Sequence, residues 1–267
     1  MTIAESKFDE TIDKTKFKDL KVIEHFMGVE GEGISTGSRT IFVRFAGCSV
    51  KCKHCDTPES WKNGVMRFSS HNPLDLAKEI AEKYLNTSGH RCSRVSITGG
   101  NPVEQDTDSM LVFMAALRAQ GLYINMEHPG IFFDYAAERR ILDQVDFLSF
   151  DIKSPSAFTH TVEEHTVYTN QHIGKLCGIL QSGKLGQVKM VIANTADLEF
   201  ARQTVSTLFH LHGFNKIPFI LMPCNPKKAY NDLAPTSVKL ITDALVTDQF
   251  PPNTRMGIQM HKAFGID

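Results

Sequence analysis

Thr40-Ile-Phe-Val-Arg-Phe45-Ala-Gly-Cys48-Ser-Val-Lys-Cys52-Lys-His-Cys55 runs an apolar, β-branched stretch straight into three thiols within eight residues, with no fourth. Closed structural metal sites take four protein ligands, whereas catalytic ones leave a position open. A cubane iron–sulfur cluster normally takes four cysteine thiolates, so three cysteines leave one iron for a small molecule to chelate. The competing reading is a zinc ion on the three thiols, with His54 or His25 as fourth ligand. Zinc motifs usually pair cysteines in two separated clusters, and this chain has one. Cys92, Cys177 and Cys224 share no short spacing and read as buried free thiols.

Outward from the cysteines, strand patterns alternate with amphipathic ones. Strands are expected over 40–45, 94–98, 122–126, 147–151, 187–192 and 218–222. Helices are expected over 73–85, 109–120, 133–142, 198–211 and 235–246, from apolar spacings of three and four. The alternation predicts parallel βαβ units. Six are too few for a closed eightfold barrel, so the fold class is α/β, a partial (β/α)6 barrel with its chemistry at the C-terminal strand ends. The cysteines follow the first of these strands, Gly99-Gly100 the second, Glu127 the third, Lys153 the fourth and Pro223 the last. A single domain is expected over 1–267, with a polar N-terminal arm over 1–20. Residues 154–185, long and polar with His160, His165 and His172, read as an insertion.

Hydrophobic residues at 42% and charged ones at 22% are ordinary for a soluble globular chain. Lys and Arg number 29 against 30 Asp and Glu, which gives no electrostatic case for a nucleic-acid partner. No apolar run reaches membrane-spanning length, and the polar N-terminus resembles no targeting peptide. Six cysteines are too few for a disulfide scaffold in a chain this long, which predicts a reducing, cytoplasmic compartment.

The cysteine spacing after a first strand, with Thr98-Gly99-Gly100-Asn101-Pro102 after the second, resembles the radical S-adenosylmethionine superfamily, whose second motif is Gly-Gly-Glu-Pro. The resemblance implies a [4Fe-4S] cluster on Cys48, Cys52 and Cys55, its open iron chelated by the amino and carboxylate groups of S-adenosylmethionine. One electron then cleaves the sulfonium to methionine and a 5′-deoxyadenosyl radical. Asn101 in place of glutamate keeps an acceptor oxygen without its charge. A neutral hydrogen bond is worth about 0.5–1.5 kcal/mol against about 1.5–3 for a charged one, so cofactor binding would weaken roughly tenfold.

Val29-Glu-Gly-Glu-Gly33, Phe42-Val-Arg-Phe-Ala-Gly-Cys48 and Cys55-Asp-Thr57 together resemble the 7-carboxy-7-deazaguanine synthase family. Ser149-Phe-Asp-Ile-Lys-Ser-Pro-Ser156 and Gln259-Met-His-Lys262 are similar to its later motifs. The resemblance implies that 6-carboxy-5,6,7,8-tetrahydropterin loses a hydrogen atom, contracts its ring and expels ammonia. The product would be 7-carboxy-7-deazaguanine, which feeds queuosine-type deazapurines. It also implies a homodimer, a reductant such as flavodoxin or ferredoxin, and Mg²⁺ on the Thr57 hydroxyl.

By the same resemblance His54, Cys55, Asp56, Gly100, Asn101, Glu127, Asp151 and Lys153 would line S-adenosylmethionine. Asp151 stands where the family often has serine, and Glu127 lies in Glu-His-Pro-Gly where the family commonly has Glu-Thr-Asn-Gly. The pterin would meet Val29, Glu30, Gly31, Glu32, Thr98, His261 and the terminal Asp267, with Arg44 on its carboxylate. Glu30 stands where the family usually has glutamine. Two other readings remain open. An activase of glycyl-radical enzymes would share the cysteines and the Asp151-Ile-Lys153 turn, but has no need of Glu-Gly-Glu-Gly, Arg44 or the closing motif. A non-catalytic iron–sulfur protein is suggested by Asn101 and the altered Glu-His-Pro-Gly turn, and the intact Thr57, Arg44 and Lys153 argue against it.

Overall fold

Apolar and polar residues alternate along the expected strands, and that alternation sorts the sheet into two faces. The computed structural model describes residues 12–62, 66–85, 92–158, 162–211, 213–224 and 234–260. Its strands are β1 (Leu20–Val29), β2 (Arg39–Phe45), β3 (Ser69–His71), β4 (Arg94–Gly99), β5 (Tyr123–His128), β6 (Phe147–Asp151), β7 (Leu185–Ile192), β8 (Phe219–Pro223) and β9 (Thr254–Met256). The helices are α1 (Pro73–Leu85), α2 (Thr107–Ala119), α3 (Tyr135–Leu142), α4 (Val162–Gln181), α5 (Thr195–Phe209) and α6 (Ala234–Val246). The strands form one sheet in the order β3-β1-β2-β4-β5-β6-β7-β8-β9. From β2 to β9 every pairing is parallel, whereas β1 is antiparallel to both β2 and β3. The end strands β3 and β9 do not pair with each other. The barrel is therefore open, and β2, β4, β5, β6, β7 and β8 are each followed by a helix before the next parallel strand, as a (β/α)6 arrangement requires.

The outer face holds the core. Ile41, Val43, Phe45, Val95, Ile97, Ile124, Met126, Leu148, Phe150, Val188 and Met190 are buried together with Phe113, Leu117, Ile141, Leu176, Val205 and Leu208 of the helices. Each such side chain contributes about 1.5–3 kcal/mol through burial. Helix starts are set by local side chains: Asp106, Asp134 and Asn194 accept from the backbone N–H of Ser109, Ala137 and Asp197.

Three expectations change. Nine strands replace six, because β1 carries a bulge between Val22 and Glu24 that breaks its period of two, and β3 and β9 are three residues each. The stretch over 154–185 carries α4, the crossover helix between β6 and β7, in place of an insertion; Leu176 and Ile179 give it a buried stripe that its polar first half conceals. The arm over 1–20 ends in core: Leu20 is the fully buried first residue of β1, and Lys14 pairs with Asp75 of α1.

Candidate active site

Over β4 to β7 the inner face of the sheet is mostly polar. Strand register puts Arg44 beside Thr98, Ser96 beside Asn125, Glu127 beside Ser149, Ser149 beside Gln187 and Asp151 beside Lys189. Directly opposed residues share a face, so these side chains form the wall of the open barrel. Asn125 Nδ2 donates to Ser96 Oγ at 2.8 Å, and Gln187 Nε2 to Ser149 Oγ at 2.9 Å.

At the C-terminal end of β2 the cysteine loop is held from several sides. Gly47 N–H donates to Ser60 O at 2.7 Å, Lys53 N–H to Ala157 O at 3.0 Å, and the Trp61 indole N–H lies 3.3 Å from Cys55 Sγ. The Gly99–Asn101 turn docks directly on this loop: Gly100 N–H donates to Phe45 O at 2.7 Å and Asn101 N–H to Gly47 O at 2.6 Å. Gly99 has φ +106°, and a Cβ on Gly100 would fall on the Gly47 carbonyl oxygen; neither position accepts a side chain. Glu104 ties the two segments together, accepting from Ser49 N–H at 2.9 Å, from Ser49 Oγ at 2.9 Å and from Asn101 Nδ2 at 2.9 Å.

Burial pushes the Cys48 thiol up, and pushes Cys52 up to about 11 against the opposing pull of Lys153. Metal binding requires these thiols to lose their protons. Burial alone would lower Lys153, but Asp151 and Cys52 hold it above its ordinary value, with Nζ 2.6 Å from Asp151 Oδ2. Asn101 Oδ1, His54 Nε2 and Asp151 Oδ1 are sealed from solvent without a hydrogen-bond partner. An unpaired buried polar atom costs about 1–3 kcal/mol, and three around one loop suit a polar ligand. The donor set and these atoms fit a cluster with a chelating small molecule. Among the described residues no three His, Cys, Asp or Glu side chains could hold one metal ion. His25, offered as a zinc ligand, is engaged by Tyr84 and Glu79. Thr57 Oγ1 lies 3.5 Å from Asp56 Oδ1, a pair of hard oxygens of the type Mg²⁺ prefers.

A second group lies inside the barrel. The loop after β1 reaches across to β7, where Glu32 Oε2 sits 2.8 Å from Lys189 Nζ and Ile34 N–H donates to Gln187 Oε1 at 2.9 Å. Gly33, at φ +67°, leaves no room for a Cβ against the Gln187 amide. Lys189 Nζ also lies 2.6 Å from Glu127 Oε2. Gln259 Nε2 bridges Glu32 Oε1 at 2.8 Å and Asp56 Oδ2 at 3.1 Å, and Met260 N–H donates to Gly31 O at 3.0 Å. One glutamine thus joins the barrel interior to the cysteine loop.

Not every expected residue joins these groups. Val29 is 51% exposed. Arg44 lies 3.2 Å from Glu24 Oε1 and over the Phe26 ring, on the hairpin of β1 and β2. His261 and Asp267 lie outside the described residues. Cys92 and Cys224 are buried as expected, Cys177 only partly, and none of the three is in a disulfide. Motif reading passed over Lys189, Glu104 and the bridging role of Gln259. The signal for Lys189 was in the sequence: an ammonium in the middle of Gln187-Val-Lys-Met-Val-Ile192 is out of place in a parallel strand unless its face lines a site.

Residues 42–219 match the profile of the radical SAM superfamily. The chain is 25% identical to the 7-carboxy-7-deazaguanine synthase of Methanothermobacter thermautotrophicus, over 92% of this chain and 97% of that one. It is 26% identical to the synthase of the same name from Geobacter sulfurreducens, over 91% and 96%. Among solved structures it is similar to QueE from Escherichia coli, with TM-score 0.63 and 19% identity over 94% of this chain and the whole of that one.

Proposed function

The chain belongs to the radical SAM superfamily, and from that premise we propose that it is a lyase converting 6-carboxy-5,6,7,8-tetrahydropterin to 7-carboxy-7-deazaguanine and ammonia. The observation that carries this reading is the Gln259 bridge, which ties the charged group inside the barrel directly to the cysteine loop. The two relatives that bear the synthase name over nine-tenths of their length support it.

Cys48, Cys52 and Cys55 would hold the [4Fe-4S] cluster. With S-adenosylmethionine bound, the cluster supplies a carbon-centred radical able to take a hydrogen atom from a C–H bond. The chain's own residues bind and orient. Gly100 exposes backbone, and Asn101 Oδ1 waits as an acceptor for an ammonium. His54, Cys55, Asp56, Glu127, Asp151 and Lys153 would line the remainder of that cofactor. Glu30, Gly31, Glu32 and Thr98 would present hydrogen-bonding groups to the pterin, with Val29, His261 and Asp267 as the further contacts the family resemblance implies. Arg44 would exchange Glu24 for the substrate carboxylate in a two-pronged contact. The Thr57 hydroxyl would take Mg²⁺ together with substrate oxygens and water.

An external reductant fits a radical SAM protein; a small-molecule substrate, flavodoxin or ferredoxin as donor, a homodimer and a cytoplasmic setting are part of the proposal. Among the described residues no helix is long and apolar enough to cross a membrane.

The test is anaerobic turnover of the reconstituted protein with dithionite, S-adenosylmethionine, Mg²⁺ and 6-carboxytetrahydropterin, read by mass spectrometry. 7-Carboxy-7-deazaguanine is the expected product. Deoxyadenosine without it would point to another substrate, such as a partner's glycine. An intact cluster yielding neither would leave the non-catalytic reading.

A further inference from the structure

Three carboxyl groups and one ammonium meet inside the barrel. Lys189 Nζ directs short contacts to Glu32 at 2.8 Å and to Glu127 at 2.6 Å. Glu30 enters from the end of β1, with its backbone N–H on Ser38 O at 2.7 Å and its own carbonyl accepting from Gly37 N–H at 2.8 Å. Those bonds anchor its backbone; the residue is buried, 6% exposed, and its Oε2 has no hydrogen-bond partner. The charged groups that face it are Glu127 from β5, Lys189 from β7, Glu32 from its own loop and Arg94 from the start of β4. A third anion here would be buried between two carboxylates while the nearer ammonium serves both of them. Desolvating such a charge without a partner costs far more than desolvating a neutral acid that finds one.

The geometry points to Glu30 acting as a neutral carboxylic acid that donates a hydrogen bond through Oε2 to the bound heterocycle, while Glu32 and Glu127, each in contact with the Lys189 ammonium, accept from its N–H groups. A site that offers one donor beside two charged acceptors selects a ring with one acceptor and several N–H groups along an edge. A 2-amino-4-oxopyrimidine is such a ring. Glu30 would then be a specificity-determining contact, present only while it holds its proton. Burial first, with Glu127 and Glu32 adding and Lys189 and Arg94 opposing, pushes this carboxyl up to about 7. The donor is therefore present below neutral pH and lost above it. The identity of the ligand rests on the lyase reading; the protonation of Glu30 does not.

The test uses the reconstituted holoenzyme and Glu30→Gln, which keeps the shape and is neutral at every pH. For the parent, KM for 6-carboxytetrahydropterin is expected to rise about tenfold per pH unit above about pH 7, and in Glu30→Gln to lose that limb. Infrared difference spectra of the resting protein supply a readout independent of turnover: a protonated carboxyl band at about pH 6, absent from Glu30→Gln and lost from the parent at about pH 9. The same alkaline limb in both proteins, or no carboxyl band in the parent at the lower pH, would overturn the inference. Absence of product from a parent that shows the band would sink the lyase reading and leave the state of Glu30 standing.

Discussion

Lys189 is an ammonium in the middle of a buried strand, between Val188 and Met190 of the core. Burial alone would lower its proton affinity, but Glu127, Glu32 and Asp151 together hold it well above the ordinary lysine value. It is thus a permanent cation, and two glutamates depend on it. Lys189→Met keeps most of the aliphatic stem but takes the ammonium away from two partly buried carboxylates; removing one partner of a buried pair typically costs about 3–5 kcal/mol. The expected outcome is a large fall in the midpoint of thermal unfolding by calorimetry. An unchanged midpoint would mean that water replaces the ammonium at no cost. The cysteines, the glycine pair and Lys153 were legible because each sits in a short run whose spacing has few chemical uses. Lys189 was not, since its meaning depends on which way a strand residue faces, and on two partners supplied by distant segments.

Among the elements, the Gly99–Asn101 turn couples two strands. Its N–H groups bond to Phe45 and Gly47, and through Glu104 it also holds Ser49 of the cysteine loop. Gly100→Ala sets a methyl against the Gly47 carbonyl, a backbone atom that can yield only if the loop moves. Reconstituted Gly100→Ala is expected to carry less iron and a weaker cluster absorbance, with far-ultraviolet circular dichroism unchanged. Full iron content would show that the loop adapts. Six of the seven parallel strands and five of the helices were readable from periodicity, because each buries a face against a neighbour. The remaining elements hid for definite reasons: a bulge in β1, the brevity of β3 and β9, and in α4 a polar first half that masks the buried Leu176 and Ile179.

Across the whole molecule, the site is assembled from segments far apart in the chain and closed by contacts that cross the open barrel. Gln259 reaches Glu32 and Asp56, and Met260 reaches Gly31. Gln259→Ala is expected to speed amide hydrogen exchange in residues 30–36 and 53–57 while β4 and β5 keep their protection. Equal exchange in parent and variant would show that the bridge closes nothing. The bridge also sets a timetable for biosynthesis. The glutamine that caps the cysteine loop is 203 residues downstream of its Asp56 partner. At ribosomal speeds of about 5–20 residues per second, roughly 10–40 s separate the emergence of the two. For that interval the thiols are in the growing chain before the wall that shelters them, so oxygen is a hazard of making this protein as well as of using it, and iron loaded after chain release would enter a cup already closed on one side.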